Sequence, residues 1–257
     1  MKKIALSLCL LFANSLLADL VIENQKTNSL TSLNVTSKKV SLDNFATPVE
    51  KLQAIHSRLA LLHGSFSEEY PEQLMSATYL TKDNKVLEIG GNLGRNSCVI
   101  ASILENENNL IVVESCVESA QLLTENRDYN QLNFHIEASA VSKYPLIQSG
   151  WTTIPSDLDI PGYFRVNTIT FQDLQKKYDI QFDTLVVDCE GALYYILKDD
   201  PEILTNIKTI IIENDFVDFT HLHYVQNLFT RYGFQLIYNQ AGGWGPCYSC
   251  FYQVWKK

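Results

Sequence analysis

Glycines and an acidic residue lie together where an apolar segment of the sequence ends. Residues 88–94 read Glu-Ile-Gly-Gly-Asn-Leu-Gly, and they follow the apolar residues Val86 and Leu87. Glycines at a turn from a strand to a helix let the backbone approach a ligand closely, where a side chain would block it. We predict that this turn binds a cofactor; the alternative is a tight turn without a ligand. The predicted cofactor-binding residues here are Glu88, Gly90, Gly91, Asn92 and Gly94.

The glycine spacing favours one class of cofactor. The dinucleotide fingerprint G-x-G-x-x-G is absent, because Asn92 or Leu93 fills its second glycine position when counting starts from Gly90 or Gly91. The pattern that is present, acidic-x-Gly-x-x-x-Gly, leaves room for an amino-acid tail and an adenosyl group instead of a pyrophosphate. A nucleotide-dependent oxidoreductase is therefore the less favoured interpretation.

The next two predicted strands also end in residues that suit a nucleoside. Glu114 ends the strand that follows the glycine turn, and a carboxylate there can accept hydrogen bonds from both ribose hydroxyls. Its alternative role is a carboxylate near a helix N-terminus, where the helix dipole favours it. The third strand ends in Glu137-Ala138-Ser139-Ala140, where we expect the adenine edge to lie, with Glu137 and Ala138 as the predicted cofactor-binding residues.

Asp188 and Glu190 follow the buried run Val186-Val187 and are the predicted catalytic residues. The alternative is helix capping by Asp188. If the substrate reacts through a hydroxyl group (a hydroxyl acceptor of a transferred group), that hydroxyl must lose a proton as its oxygen attacks, and either carboxylate could accept the proton. A divalent metal held by Asp188, Glu213 and Asp215 could instead lower the pKa of the hydroxyl. His221 and His223 are further candidate bases, or ordinary helix residues.

The elements that would position these residues alternate between strands and helices. Short apolar runs separated by helices predict an α/β fold with a parallel sheet, because parallel strands need helical crossovers. The last two strands, joined by Ala-Gly-Gly-Trp-Gly-Pro, could pair antiparallel. The predicted strands span 85–91, 110–115, 133–139, 182–189, 207–214, 234–239 and 247–255, and the helices span 96–104, 117–128, 170–178, 192–197 and 218–233.

Two other segments flank or interrupt this alternation. Residues 46–82 form a predicted helical extension, with helices at 48–62 and 71–80, before a cofactor-binding core at 83–257. Residues 143–165 read as an irregular stretch that contains Trp151, Tyr163 and Phe164. We expect this stretch to bind the acceptor; a plain surface excursion is the alternative.

The first 45 residues have a different character. Residues 1–18 combine Lys2 and Lys3, an apolar run and Ala18, which is the pattern of a secretory signal peptide or an N-terminal anchor. A cytoplasmic location follows if this segment is not a signal. Residues 19–45 are polar and read as a linker that includes the glycosylation sequon Asn34-Val35-Thr36. Cys247 and Cys250 could form a local disulfide in an exported protein.

The net charge of the chain indicates which class of partner it binds. The 257 residues carry a formal net charge of −9, and nucleic-acid affinity depends on contacts from basic side chains to phosphates. We therefore expect a small-molecule or glycan acceptor and no nucleic acid. Contact with a membrane is expected only through an uncleaved N-terminal segment.

Seven sequence segments resemble, in order and spacing, the FkbM family of methyltransferases. They are VLEIGGNLGRNS, IVVES, LLTENRD, ASAVS, TITFQDL, VVDCEGALYYIL and TIIIEND, and together they cover about residues 84–215. The family has Asp at the position of Glu88, Glu at the position of Leu193, and often Pro at the position of Ser115. VVDCEG is the most family-specific segment.

The resemblance implies a class I methyltransferase: a Rossmann-like, seven-stranded, mostly parallel sheet with helices on both faces. It also implies S-adenosylmethionine as the methyl donor and O-methylation of a sugar or another small-molecule hydroxyl. The signal-like N-terminus keeps one alternative of another class open, a non-enzymatic binding module on the same fold in a compartment without S-adenosylmethionine.

Overall fold

The computed structural model describes residues 45–257. The predictions for the signal peptide or anchor, the sequon and nearly all of the linker therefore lie outside the described residues. Within the described part of the chain, no helix has the length and apolar character that a membrane span requires.

Twelve strands and seven α-helices make up the described chain. The strands are β1 (Val86–Ile89), β2 (Leu110–Val113), β3 (His135–Glu137), β4 (Ala140–Val141), β5 (Leu146–Ser149), β6 (Thr152–Pro155), β7 (Phe164–Val166), β8 (Thr168–Ile169), β9 (Thr184–Val187), β10 (Thr209–Glu213), β11 (Gln235–Gln240) and β12 (Tyr252–Lys256). The helices are α1 (Pro48–His56), α2 (Tyr70–Tyr79), α3 (Arg95–Ile103), α4 (Val117–Tyr129), α5 (Phe171–Tyr178), α6 (Leu193–Asp199) and α7 (Phe219–Arg231).

Seven of the strands form one sheet in the order β11-β12-β10-β9-β1-β2-β3. Strands β3, β2, β1, β9 and β10 pair in parallel. Strand β12 runs antiparallel to both of its neighbours, β10 and β11. The direction of strand addition reverses between β1 and β9, so the carboxyl ends of these two strands border the crevice where α/β sheets bind ligands. The Rossmann-like prediction is thereby confirmed.

The two faces of the sheet are covered by different helices, as alternation along each strand requires. Leu87, Val113 and Val187 face a core that includes side chains of α5, α6 and α7. Val86, Val112 and Val186 face a second core with side chains of α1, α2, α3 and α4. Strand positions at every second residue from Val86, Val112 and Val186 therefore point toward the helical N-terminal segment.

The predicted helix at 48–62 is too long. Helix α1 begins with a capping box between Thr47 and Glu50 and ends at His56. The backbone N–H groups of Ala60 and Leu62 donate to the side chains of Asn130 and Asn126, at 2.9 and 2.7 Å. These bonds replace the helical ones, and Leu62 is 52% exposed. The apolar period continues in the sequence beyond His56, but there the backbone N–H groups bond to asparagine side chains at the C-terminal end of α4 instead of to helical carbonyl groups.

Two further predictions about local structure were wrong. The stretch predicted as irregular contains a three-stranded antiparallel sheet in the order β6-β5-β7. Residues Gly245–Cys250, in large part predicted as strand, form a 3₁₀ helix before β12. Cys247 and Cys250 are both free thiols, and burial raises the pKa of Cys247 to about 11.

Candidate functional site

The carboxyl ends of β1, β2 and β9 border the larger of two adjoining cavities, which we call the edge cavity. Its empty space, including solvent space at its mouth, is about 840 Å³. Ile89, Gly90, Val113, Glu114 and Asp188 line its floor. The switch point of the sheet thus opens into this cavity, and five of the predicted site residues line it: Gly90, Asn92, Glu114, Asp188 and Glu190.

The glycines of the first turn serve two different purposes. Gly90 lines the edge cavity at φ +90°, and a Cβ atom added there would lie 1.5 Å from the carbonyl oxygen of Asp188. Gly91 and Gly94 lie outside the edge cavity and pack against Leu123 of α4, where an added Cβ would approach its side chain to 2.6 and 3.0 Å. Gly90 therefore belongs to the site, whereas Gly91 and Gly94 allow α4 to pack closely.

Glu114 is buried at the end of β2 and holds the turn in place. Its carboxylate accepts the backbone N–H groups of Asn92 and Cys116, both at 2.8 Å. Burial raises the pKa of Glu114, although these backbone donors act in the opposite direction. Each oxygen accepts one protein hydrogen bond and has another lone pair, so the carboxylate can still accept from a ligand.

Of the segment 137–140 that was predicted to border the adenine, Ser139 and Ala140 line the cavity, whereas Glu137 and Ala138 do not. The Glu137 carboxylate bonds instead to Lys177 and Tyr178 at the end of α5. Ser139 is buried and, within the described chain, its hydroxyl has no hydrogen-bond partner. The segment after β3 therefore contributes to the cavity, but through residues two positions later than the two that were predicted to bind the cofactor.

The residues after β9 bring carboxylates into the cavity wall. Asp188 and Glu190 both line it. Burial raises the pKa of Asp188, and the nearby charges of Glu213 and Asp215 act in the same direction. Burial also raises the pKa of Glu190. Raised pKa values make both carboxylates better proton acceptors than ordinary surface ones.

Asp215 supports this loop from behind. Its Oδ1 accepts the backbone N–H of Gly191 at 2.7 Å, and burial raises its pKa to about 7, with Glu190 and Glu213 contributing. Asp215 lines neither cavity. The predicted metal set Asp188, Glu213 and Asp215 is therefore not brought together, because the chain turns away after β10 ends at Glu213.

Glu190 has a strained backbone. Its φ of +52° lies in the left-handed region, which costs a residue with a Cβ about 1–2 kcal/mol. We expect Glu190→Gly to leave the free energy of unfolding unchanged or raise it by up to about 1 kcal/mol, because glycine relieves this strain but loses more entropy on folding. Urea denaturation measures the change. A clear loss of stability would instead show that the Glu190 side chain stabilises the turn.

The segment predicted to bind the acceptor forms one wall of the cavity. The cavity is lined by Gln148 of β5, by Trp151 in the turn that follows β5, and by Thr153 of β6. Tyr163 and Phe164 do not line it. Trp151 is 60% exposed and presents an aromatic surface at the mouth. Gln148 is buried, and its Oε1 has no partner among residues 45–257. This wall offers one flat apolar surface and one unused acceptor to a ligand.

The two histidines lie outside both cavities. The His221 ring stacks on Tyr194 with centroids 3.5 Å apart, and the His223 ring contacts Phe219 edge-on. The interpretation as ordinary helix residues is the one that the geometry supports.

A second, smaller cavity, which we call the acidic cavity, lies on the other side of Gly90 and Asp188. Its lining includes Glu72, Glu88 and Glu213. Burial raises the pKa of Glu88 to about 8 and raises the pKa of Glu72, to which the charges of Asp188 and Glu213 also contribute. Glu88 is therefore placed near the first turn but faces away from the edge cavity, toward α2 and α3.

The sequence matches no protein-family model and no curated protein. Similar solved structures include a ribosomal protein L11 methylase from Lactobacillus delbrueckii subsp. bulgaricus, at 12% identity and TM-score 0.49 over 77% of this chain and 81% of that one. An O-methyltransferase from Bacillus cereus in complex with SAH aligns at 15% identity and TM-score 0.47 over 85% and 94%.

A protein in the NADB-Rossmann superfamily from Streptococcus agalactiae aligns at 13% identity and TM-score 0.47 over 76% and 69%. The chain itself has an α/β fold, with a Rossmann-like, mostly parallel seven-stranded sheet and helices on both faces. Similarities at these identities and TM-scores carry no information about function.

Glu72 of the acidic cavity was not predicted, and Gln148 was not singled out within the segment 143–165 that was expected to bind the acceptor. Glu72 lies on the same face of α2 as the buried Met75 and Ser76, three and four residues later. That spacing was the available signal for its burial. Gln148 gave no signal of this kind, because its role depends on how residues 138–166 fold back over the sheet.

Proposed function

We propose that this protein transfers a methyl group from S-adenosylmethionine to a hydroxyl group of a sugar or another small molecule. The observation that carries the proposal is the edge cavity itself. It joins the glycine turn, the Glu114 carboxylate and the Asp188–Glu190 loop at the switch point of the sheet.

The residues of the edge cavity fit this cofactor. Glu114 has acceptor capacity left for ribose hydroxyls, and the unpartnered Ser139 hydroxyl lies two residues after β3, where an adenine would be bound. Gly90 lines the cavity where the amino-acid tail would lie. Glu114, Asp188, Glu190 and Asp199 also give the lining an acidic character, which favours a positively charged sulfonium ligand. When bound, S-adenosylmethionine supplies an electrophilic methyl group.

The remaining chemistry belongs to the chain. Asp188 and Glu190 lie where an acceptor hydroxyl would meet the cofactor, and we propose that they orient it and accept its proton. Holding the acceptor in line with the methyl group can supply about 7–11 kcal/mol of the acceleration in favourable cases. Trp151 and Gln148 are proposed to bind the body of the acceptor, through stacking and one hydrogen bond.

The acceptor class follows from charge and shape. Lysine, arginine and histidine are all missing from the edge-cavity lining within residues 45–257, so a neutral or cationic small molecule or glycan suits it better than a polyanion. The FkbM resemblance supports a sugar hydroxyl. Export or membrane anchoring through residues 1–18 also remains a proposal.

Isothermal titration calorimetry with S-adenosylmethionine and with S-adenosylhomocysteine tests the proposal. Saturable binding of both at one site supports it. Binding of NAD with no response to either compound would favour the oxidoreductase alternative. If none of the three binds, the non-enzymatic binding module becomes the better description.

Glu114→Gln is expected to weaken binding of S-adenosylmethionine about 10- to 100-fold, since hydrogen bonds to a charged group contribute about 1.5–3 kcal/mol. Calorimetry measures the affinity, and a melting curve shows whether the variant is folded. The control is Glu118→Gln, the same change at an exposed position of α4 that lines neither cavity. Unchanged affinity in folded Glu114→Gln would remove Glu114 from the cofactor site.

A further inference from the structure

Three carboxylates from separate elements meet in the acidic cavity. Glu72 comes from α2, Asp188 follows β9, and Glu213 ends β10. One oxygen from each lies within 4.8 Å of the other two. This set differs from the predicted one, because Glu72 of the helical extension takes the place of Asp215.

The strand register explains why these groups converge. Val186 pairs with Ile211, and Val187 pairs with Ile212, so Asp188 comes level with Glu213. Asp188 and Glu213 have the parity of Val186 and Ile211, which face α2. The convergence is thus fixed by the most regular part of the fold.

A second observation indicates that the cavity takes a ligand. Glu72 is 5% exposed, and its Oε1 has no hydrogen-bond partner within the described chain. The same holds for Oε2 of Glu88 and Oδ1 of Asn96, which line the same cavity. Buried polar atoms are almost always paired. Three unpaired oxygens around one cavity therefore need a common partner that accepts their lone pairs.

The protein supplies little positive charge here. Lysine, arginine and histidine are absent from the acidic-cavity lining in the part of the chain that the structure describes. The guanidinium of Arg95, at the start of α3, is bonded to Glu68 and Glu69 at 2.7 Å each. Buried like charges without a counter-charge are strongly unfavourable, and a bound cation would remove that penalty.

We propose that the acidic cavity binds one hard divalent cation, held by Glu72, Asp188 and Glu213. Hard cations take oxygen ligands, and two oxygens bound to the same Ca²⁺ lie at most about 4.6–5.2 Å apart. Three oxygens within 4.8 Å of one another are therefore compatible with ligation of one such ion. The cavity has room for about one ion or water molecule. The unpaired oxygens of Glu88 and Asn96 offer two more ligands.

Methyl transfer as proposed above does not require this cation, although the two sites share the Asp188 carboxylate. Asp188 and Gly90 line both cavities, so the cation would lie behind the cofactor and fix the Asp188 carboxylate. Cation binding can be measured without cofactor or acceptor, and its failure would leave the proposed function intact.

Electron paramagnetic resonance with Mn²⁺ tests the proposal on the full-length protein after treatment with a chelator. Free Mn²⁺ gives a sharp signal that disappears on binding. We expect each protein molecule to bind one Mn²⁺ ion tightly (one tight equivalent), and we expect Ca²⁺ to displace that ion. Glu72→Gln should weaken that binding by more than about 10-fold, since loss of even an outer partner of a metal site costs about 10–100-fold. Asp215→Asn is the matched control, a buried carboxylate outside the cavity, and should retain the tight equivalent.

Other results would overturn the proposal. If Glu72→Gln and Asp215→Asn weaken Mn²⁺ binding equally, only the general negative charge of this region attracts the ion. No tight equivalent in the wild-type protein would mean that shared protons keep the carboxylates together. If Glu72→Gln weakens S-adenosylmethionine binding and no Mn²⁺ binds, the cavity accepts an organic ammonium group instead. A melting curve of Glu72→Gln shows that the variant is folded.

Discussion

Asp188→Asn is expected to lower the rate of methyl transfer by about 10²–10⁴-fold, the usual cost of losing a general base. Asparagine matches aspartate in size but accepts no proton at neutral pH. The variant should fold, because neutralising Asp188 removes repulsion from Glu213 and Asp215. The measurement is kcat at saturating cofactor with an acceptor found by screening sugars, together with a melting curve.

Glu190→Gln separates proton transfer from positioning. A residue that only orients the acceptor should mainly raise KM for the acceptor, whereas a base should mainly lower kcat. Full activity in both stable variants would show that Asp188 and Glu190 are structural and that another group accepts the proton.

Gly90→Ala is expected to destabilise the protein by more than about 4 kcal/mol, a loss that only severe packing or backbone conflicts produce. The new Cβ would lie 1.5 Å from the Asp188 carbonyl oxygen, at a φ of +90°. Strands β1 and β9 are paired at this point, with Ile89 opposite Val187. Neither backbone can move without breaking the sheet. Urea denaturation measures the free energy of unfolding, and failure to fold is the extreme form of the same result.

Gly150→Ala is the control for this change. Gly150 also has a positive φ, +57°, but an added Cβ meets nothing within 4 Å. This variant should lose only the cost of the left-handed conformation, about 1–2 kcal/mol. Equal losses at Gly90 and Gly150 would contradict the steric explanation.

The sheet could be predicted from the sequence because its strands carry a strong local signal. Runs such as Leu110–Val113 and Thr184–Val187 are buried at every position, and buried parallel strands read as continuous apolar segments. Glu114 and Asp188 were found for the same reason, since a residue directly after such a strand must lie at the carboxyl edge. Position along the chain sufficed to place them.

Side chains whose direction depends on distant contacts were not predictable in this way. Glu137 ends its strand as expected, but Lys177 and Tyr178 of α5 draw its carboxylate away. Glu88 has the parity that points toward α3, and the sequence alone did not say which face holds the cofactor. Residues 146–166 pair as hairpin-like strands despite their weak apolar pattern, because they cover the edge cavity rather than enter the core.

The position of β12 has a consequence for the order in which the sheet can be assembled. β11 joins the sheet only through β12, which lies between it and β10. Until residues 252–256 have been synthesised, the edge of β10 has no neighbour on that side, and β11 has nothing to pair with. An unpaired edge strand of Ile210, Ile211 and Ile212 can pair with other chains. We therefore expect nascent or truncated chains that end before Tyr252 to aggregate, although they contain every residue of both cavities.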